Sequence, residues 1–194
     1  MLQPRALIGL LWAAFVLCWL LLAQFNKKAS TSTPVWAGWR LRFLIAVAVF
    51  ILVRFRRHAV VSYVASIGRT LPFHAGITEQ WLGVGLCLAG FGFAVWARVH
   101  IGRNWGMPMS LREGHELVTS GPYAYVRHPI YSGLTLAMIG SAVTAGPLLL
   151  VVAPLYFAYF LFSARSEEKT MLAQFPDAYP AYRRRTKMLI PFVF

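Results

Sequence analysis

Long apolar runs alternate with short polar stretches along most of this chain. From Ala6 to Ala23 no charged residue occurs, and about 20 apolar residues suffice to cross a bilayer. The run is long, lacks a small-residue cleavage site and is followed by more spans, so it reads as a retained helix rather than a signal peptide. The pattern predicts about five spans. The first lies at about 6–24, the second at about 36–53 behind Trp36 and Trp39, and the third at about 78–97 behind Glu79 and Trp81; such tryptophans suit a membrane interface. Two shorter ones follow, at about 130–145 and 147–163. They meet at Thr144-Ala145-Gly146-Pro147, an uncharged joint with a strong breaker. A tight hairpin results, and the segments on either side of it emerge together. The expected fold is all-α, a multi-pass transmembrane helical protein with a cytoplasmic pocket made from the loop before span four and the C-terminal segment. Residues 1–97 hold spans one to three, and 98–194 hold the hairpin 130–163 and the C-terminal segment.

The third span carries Gly83, Gly85, Gly90 and Gly92. The spacing does not fit GxGxxG, and no strand precedes it. Gly83, Gly90 and Ala97 instead recur every seven residues, which suits close helix packing in a membrane.

Composition supports the membrane reading. The 194 residues are 58% hydrophobic and 13% charged, about half the usual charged share. Mean hydropathy is +0.59. The formal net charge of +13 would suggest nucleic acid in a soluble protein. Here the basic residues sit at the ends of apolar runs, so anionic lipid headgroups are the expected partner and nucleic acid is not. Arg98, Arg103, Arg112 and Arg127, with Arg165, Lys169, Arg183, Arg184, Arg185 and Lys187, mark the cytoplasmic face by the positive-inside rule. An odd number of spans then puts the N-terminus outside. The segment 54–69, with Arg54, Arg56, Arg57 and Arg69, conflicts with that topology. Cys18 and Cys87 lie inside apolar spans without ligand spacing, which argues against a disulfide framework and against a metal site.

Of the six acidic residues, five (Glu113, Glu116, Glu167, Glu168 and Asp177) fall between 113 and 177. Carboxylates do little for anchoring, so they mark where specific polar work is done. The segment His115–Tyr131, HELVTSGPYAYVRHPIY, is polar and set between apolar runs. Gly121-Pro122-Tyr123, Val126-Arg127-His128-Pro129-Ile130-Tyr131 and Gly133 form the pattern GPYxxVRHPxYxG, and Arg165-Ser166-Glu167-Glu168 follows the hairpin. This ordered pair of motifs resembles the integral-membrane methyltransferases typified by isoprenylcysteine carboxyl methyltransferase, over about 98–192. The resemblance implies S-adenosylmethionine as cofactor, bound without a Rossmann fold and released as S-adenosylhomocysteine. It implies cofactor contacts at His115, Glu116, Leu117, Val118, Tyr123, His128, Pro129, Ile130, Tyr131 and Glu167. It implies Arg165 near the acceptor's carboxylate, so that Arg165 and Glu167 carry the catalytic roles. The acceptor implied is lipidic, reached from the bilayer, most simply the C-terminal carboxylate of an isoprenylated cysteine.

The residues point the same way by themselves. A sulfonium cofactor presents an ammonium, a carboxylate, a ribose and a purine. Glu116 and Glu167 suit the ammonium or the ribose hydroxyls. The turn at Ser120-Gly121-Pro122 and the start of span four suit the carboxylate, since helix N-termini attract anions; Pro129 stands where a helix-opening proline belongs. Tyr123, Tyr125 and Tyr131 can wall the site and face the sulfonium. The plainer readings are that His128 caps span four and that Tyr179 and Tyr182 pack at the interface. His58, His74 and His100 have no partner motif. A carboxylate acceptor needs no base, whereas a phospholipid or other amine acceptor needs one, such as Glu167, Glu168 or His128. A membrane reductase is disfavoured by chain length. A non-enzymatic membrane protein would place its charges within spans.

Overall fold

The computed structural model describes residues 3–24, 75–105 and 116–193. Among them the fold is all-α: α1 (Pro4–Ala23), α2 (Ile77–Ile101), α3 (Pro129–Ala145), α4 (Pro147–Gln174) and α5 (Ala178–Arg185), with 3-10 turns at Gly102–Asn104 and Gly121–Ala124. The expected second span at 36–53, the conflicting segment 54–69 and His115 lie outside the described residues. Helices α1 and α2 are long and apolar enough to cross a membrane, and α3 is a shorter apolar helix.

Prolines open three of these helices, Pro4, Pro129 and Pro147, where the missing N–H is no loss. The break expected at 144–147 is present. Gly146 takes φ 106, a conformation L side chains avoid. Helix α4, however, runs for 28 residues to Gln174 rather than stopping near 163. Hydropathy marks where lipid contact ends, while Ala, Glu, Lys, Met and Leu after that point remain good helix formers. Glu167 and Glu168 therefore sit inside a helix, away from its negative end.

Helices α2 and α3 lie almost backbone to backbone. A Cβ added at Gly90 would stand 2.5 Å from the Gly133 carbonyl oxygen, and one at Gly133 would stand 2.5 Å from that of Gly90. One turn-pair away, a Cβ at Gly83 would meet the Gly140 carbonyl at 2.5 Å, and one at Gly140 would meet the Cys87 amide at 2.5 Å. The seven-residue stripe thus faces a matching stripe on α3, in antiparallel register. Helix α1 closes the core. Phe15 stacks on Phe91 with ring centroids 4.4 Å apart, and Trp12 meets the same ring edge-on at 4.9 Å. Two polar contacts cross the bundle: Trp12 Nε1 donates to Ser141 Oγ at 3.0 Å, and the Thr144 hydroxyl reaches the Gln80 carbonyl at 2.9 Å. The outer faces of α1, α2 and α4 expose Leu17, Leu20, Leu82, Leu88, Leu155 and Phe162. So much exposed apolar surface suits lipid contact.

Candidate functional site

The site is assembled by the C-terminal segment reaching back to the motif before α3. Val126 and Lys187 form a parallel bridge. The amides of Arg127 and His128 donate to the carbonyls of Lys187 (2.8 Å) and Met188 (3.1 Å), and Ser132 Oγ donates to that of Leu189 (2.5 Å). Tyr182 OH donates to the Tyr123 carbonyl at 2.7 Å. The Arg127 guanidinium lies 2.6 Å from a Glu168 oxygen and also bonds the carbonyls of Arg183 and Thr186. Upstream, Gly121 has φ +59, and a Cβ there would press within 2.6 Å of the His100 ring. Only glycine fits this turn. His100 in turn bonds Ser120 at 2.9 Å and stacks against Tyr123, which gives it a place that sequence alone did not suggest.

Two adjacent carboxylates and one imidazole form the polar centre. Glu167 accepts a hydrogen bond from Tyr131 OH at 2.5 Å, and its other oxygen lies 3.3 Å from His128 Nδ1. His128 Nε2 stands 3.6 Å from Glu168. The His128 ring stacks on Tyr131, and Tyr131 on Phe160, at centroid separations of 5.8 and 5.0 Å. Burial opposes a charged His128, but the contact with Glu167 and the proximity and charge of both glutamates outweigh it and raise its pKa. Burial likewise opposes an ionised Glu168, yet the nearby His128 and the hydrogen-bonded Arg127, with their charges, hold its pKa down.

These shifts set a pH window. The raised His128 pKa makes its contribution to stability complete below the ordinary histidine value of 6.5, and that contribution is lost as pH rises through the raised value. The lowered Glu168 pKa makes its contribution complete above 4.5, and that one is lost as pH falls through the lowered value. Thermal unfolding of the detergent-purified protein is therefore expected to be most resistant between these limits and to weaken on the alkaline side. In His128→Gln the alkaline decline should flatten. Parallel declines in the two proteins would refute this origin.

One cavity of about 350 Å³ adjoins this centre, within the usual range for small-molecule sites. Glu116, Leu117 and Val118 line it from the segment before the turn, as do Tyr123, His128 and Pro129. Ile130, Tyr131 and Glu167 complete the expected residues that meet there. Arg165 does not line the cavity and is exposed. It lies two positions before Glu167, and residues two apart on a helix do not share a face. The arginine at the centre is Arg127, already engaged with Glu168.

Sequence reasoning missed part of the wall. Phe15 and Trp19 of α1, and Asn104 and Trp105 after α2, also line the cavity. Arg98, expected as a surface cation, is only 2% exposed. It donates to the carbonyls of Gly102 (2.9 Å) and Leu22 (2.6 Å) and sits 4.6 Å over the Trp105 ring, so it ties the end of α1 to the turn that carries Asn104. The sign was available: Val84, Phe91 and Arg98 form a seven-residue stripe on the buried face of α2. Two buried atoms in the cavity lining, Asn104 Oδ1 and His128 Nε2, have no hydrogen-bond partner. Buried polar groups are nearly always satisfied, so a polar ligand fits this cavity better than a purely apolar one.

Residues 82–174 match the isoprenylcysteine carboxyl methyltransferase family. The likeness to that family extends over 93 of the 194 residues. The matched segment covers α2 from Leu82 onward, the turn, the hairpin and both glutamates. Protein-S-isoprenylcysteine O-methyltransferase B of Arabidopsis thaliana is 28% identical over 143 residues, covering 70% of this chain and 71% of that protein. Methanethiol S-methyltransferase 2 of Bradyrhizobium diazoefficiens is 42% identical over 73 residues, covering 37% of this chain and 27% of that one. Several curated relatives are matched over only about a quarter to a half of their length. Among solved structures, the eukaryotic intramembrane Ras methyltransferase ICMT superposes with a TM-score of 0.52 at 24% identity, covering 71% of this chain and 53% of that chain. The likeness is one of fold, and it places α1 and α2, each long and apolar enough to cross a membrane, in the architecture of an intramembrane protein.

Proposed function

We propose that this chain is a multi-pass membrane methyltransferase of about five spans, using S-adenosylmethionine, with its site on the cytoplasmic face and its core in residues 98–194. The observation that carries the reading is the meeting of Glu116, His128, Tyr131 and Glu167 around one largely apolar cavity at the polar end of the hairpin. The donor set fits the cofactor. Glu167 and Glu116 would hold its ammonium or ribose hydroxyls, the aromatic walls would take the purine, and Asn104 and His128 bring the two buried polar atoms that lack partners. When bound, S-adenosylmethionine supplies an activated methyl group. The chain's own residues do the rest. Tyr131 and His128 fix the Glu167 carboxylate from two sides. Phe15, Trp19 and Trp105 exclude water. Alignment of the reactants in such a slot is worth on the order of 7–11 kcal/mol at best.

For the acceptor, the first reading is an apolar, lipidic group, the carboxylate of an isoprenylated cysteine in keeping with the Arabidopsis relative's name. A specific observation favours a second reading, a thiol. Arg165, expected to hold a carboxylate, lies outside the cavity, and the segment shares 42% identity with a protein named for methanethiol. An amine acceptor is supported least. Glu168 is already engaged by Arg127 at 2.6 Å, and His128 stands between both glutamates, so neither is free to take a proton from an amine.

The test is calorimetric binding of S-adenosylhomocysteine to the purified protein. Glu167→Gln and His128→Ala are each expected to weaken it about 10- to 150-fold, the range for hydrogen bonds to charged groups. Wild-type affinity in both variants, or no binding to the native protein, sinks the reading. A transfer assay with a farnesylated cysteine acid, a short-chain thiol and phosphatidylethanolamine then separates the acceptors.

A further inference from the structure

A second cavity, of about 370 Å³, opens beside the first and shares Arg127 with it. Arg183, Arg184, Arg185, Thr186 and Lys187 line the remainder, with Met188 and Val193. Among the described residues no carboxylate lines it. Glu168 reaches from behind to Arg127 at 2.6 Å and to Arg183 at 3.5 Å, whereas Arg184, Arg185 and Lys187 make no ion pair among the described residues. The last turn of α5 attracts cations through its dipole, but a dipole of about half a charge does not balance so many.

The position of this cavity tells what balances it. The last large apolar side chain exposed on α4 is Phe162, and Arg165 is the first charge after it. Glu168 follows Phe162 by six residues, or about 9 Å of helix rise. The polar layer of a bilayer is about 5–8 Å thick on each side. With Phe162 at the edge of the hydrocarbon, Arg183, against Glu168, comes out at the outer edge of that polar layer, within side-chain reach of the phosphates. Beside the cavity the chain exposes Ile190, Phe192 and Val193, with Phe192 at 85%. Cations next to exposed apolar side chains suit an anionic membrane surface. Nucleic acid would make no use of the apolar group.

We propose that this cavity seats the phosphate of an anionic phospholipid headgroup, with Phe192 and Val193 dipping into the acyl region beside it. The site would fix the depth and tilt of α5 and of the segment that completes the neighbouring pocket.

The test uses the full chain in non-ionic detergent, titrated with dioctanoyl phosphatidylglycerol or dioctanoyl phosphatidylcholine, with bound lipid counted by native mass spectrometry. Phosphatidylglycerol is expected to bind at least ten-fold more tightly. Each basic residue near an anionic surface is worth about five-fold in affinity, so the R184Q/R185Q/K187Q variant should lose on the order of a hundred-fold with an unchanged unfolding midpoint. Equal binding of the two lipids, or unchanged phosphatidylglycerol affinity in the triple variant, overturns the proposal. Displacement of the lipid by millimolar inorganic phosphate would assign the cavity to free phosphate and equally overturn it. Should the triple variant fail to fold, F192S/V193S supplies an independent arm: several-fold weaker phosphatidylglycerol binding supports the proposal, and unchanged binding counts against it.

Discussion

Glu168→Ala destabilises the detergent-purified protein by about 3–5 kcal/mol, the range for removing one partner of a buried ion pair. Glu168 is 4% exposed and holds Arg127 at 2.6 Å, with His128 at 3.6 Å. Its loss leaves the Arg127 guanidinium buried on carbonyls alone. The half-exposed Arg183 at 3.5 Å adds little, because water screens it. Arg127→Met should be costly for the mirrored reason. The double variant should lose clearly less than the sum of the two single losses, as expected for groups in direct contact. Denaturant unfolding followed by tryptophan fluorescence measures all three. A single-variant loss below about 1 kcal/mol would show that the pair does not hold the C-terminal segment in place.

The second large effect separates glycines that look alike in the sequence. Gly90→Ala places a methyl group 2.5 Å from the Gly133 carbonyl and the Ala137 amide, where backbone meets backbone and neither side chain can give way. Overpacking of this kind costs about 1–3 kcal/mol, occasionally more, and Gly90→Leu should abolish the folded, monodisperse protein. Gly85 and Gly92 each follow a close-packed glycine by two residues, which turns them off the buried face, and they meet nothing within 4 Å. Alanine there should be neutral or stabilise by up to about 1 kcal/mol, through helix propensity. Size-exclusion profiles and unfolding midpoints of the four variants decide the matter. Similar losses at Gly90 and Gly92 would remove the close-packing account.

These contrasts show where sequence is legible. The seven-residue stripe of Gly83, Gly90 and Ala97 announces a close contact, because spacing alone fixes which residues share a helix face. It does not announce the partner, since Gly133 and Gly140 became opposite numbers only when α3 packed antiparallel. The motif around His128 and the pair at Glu167 were readable as one centre because the breaker at Gly146-Pro147 folds the chain back. Arg165 stands off the cavity because a motif records order along the chain, whereas the two-residue offset from Glu167 turns it to the opposite face. Arg98 was misjudged because a basic residue near a span end fits the membrane boundary by default. Its burial depends on carbonyls of Leu22 and Gly102 that no local pattern reveals. The aromatic wall from Phe15 and Trp19 is likewise a tertiary fact. A helix such as α1, with no charge after Arg5, offers no mark of which side will face the others.

The pairing of Val126, Arg127 and His128 with Lys187 and Met188 joins parts of the chain separated by about sixty residues. At the usual 5–20 residues per second of synthesis, the second part leaves the ribosome about 3–12 s after the first. Through those seconds the hairpin can already lie in the bilayer while Arg127 still waits for its carbonyl partners. The pocket is then the last part of the nascent protein to close, and a messenger lesion or stalled ribosome that withholds residues 186–189 would leave an inserted but unfinished chain for quality control to recognise.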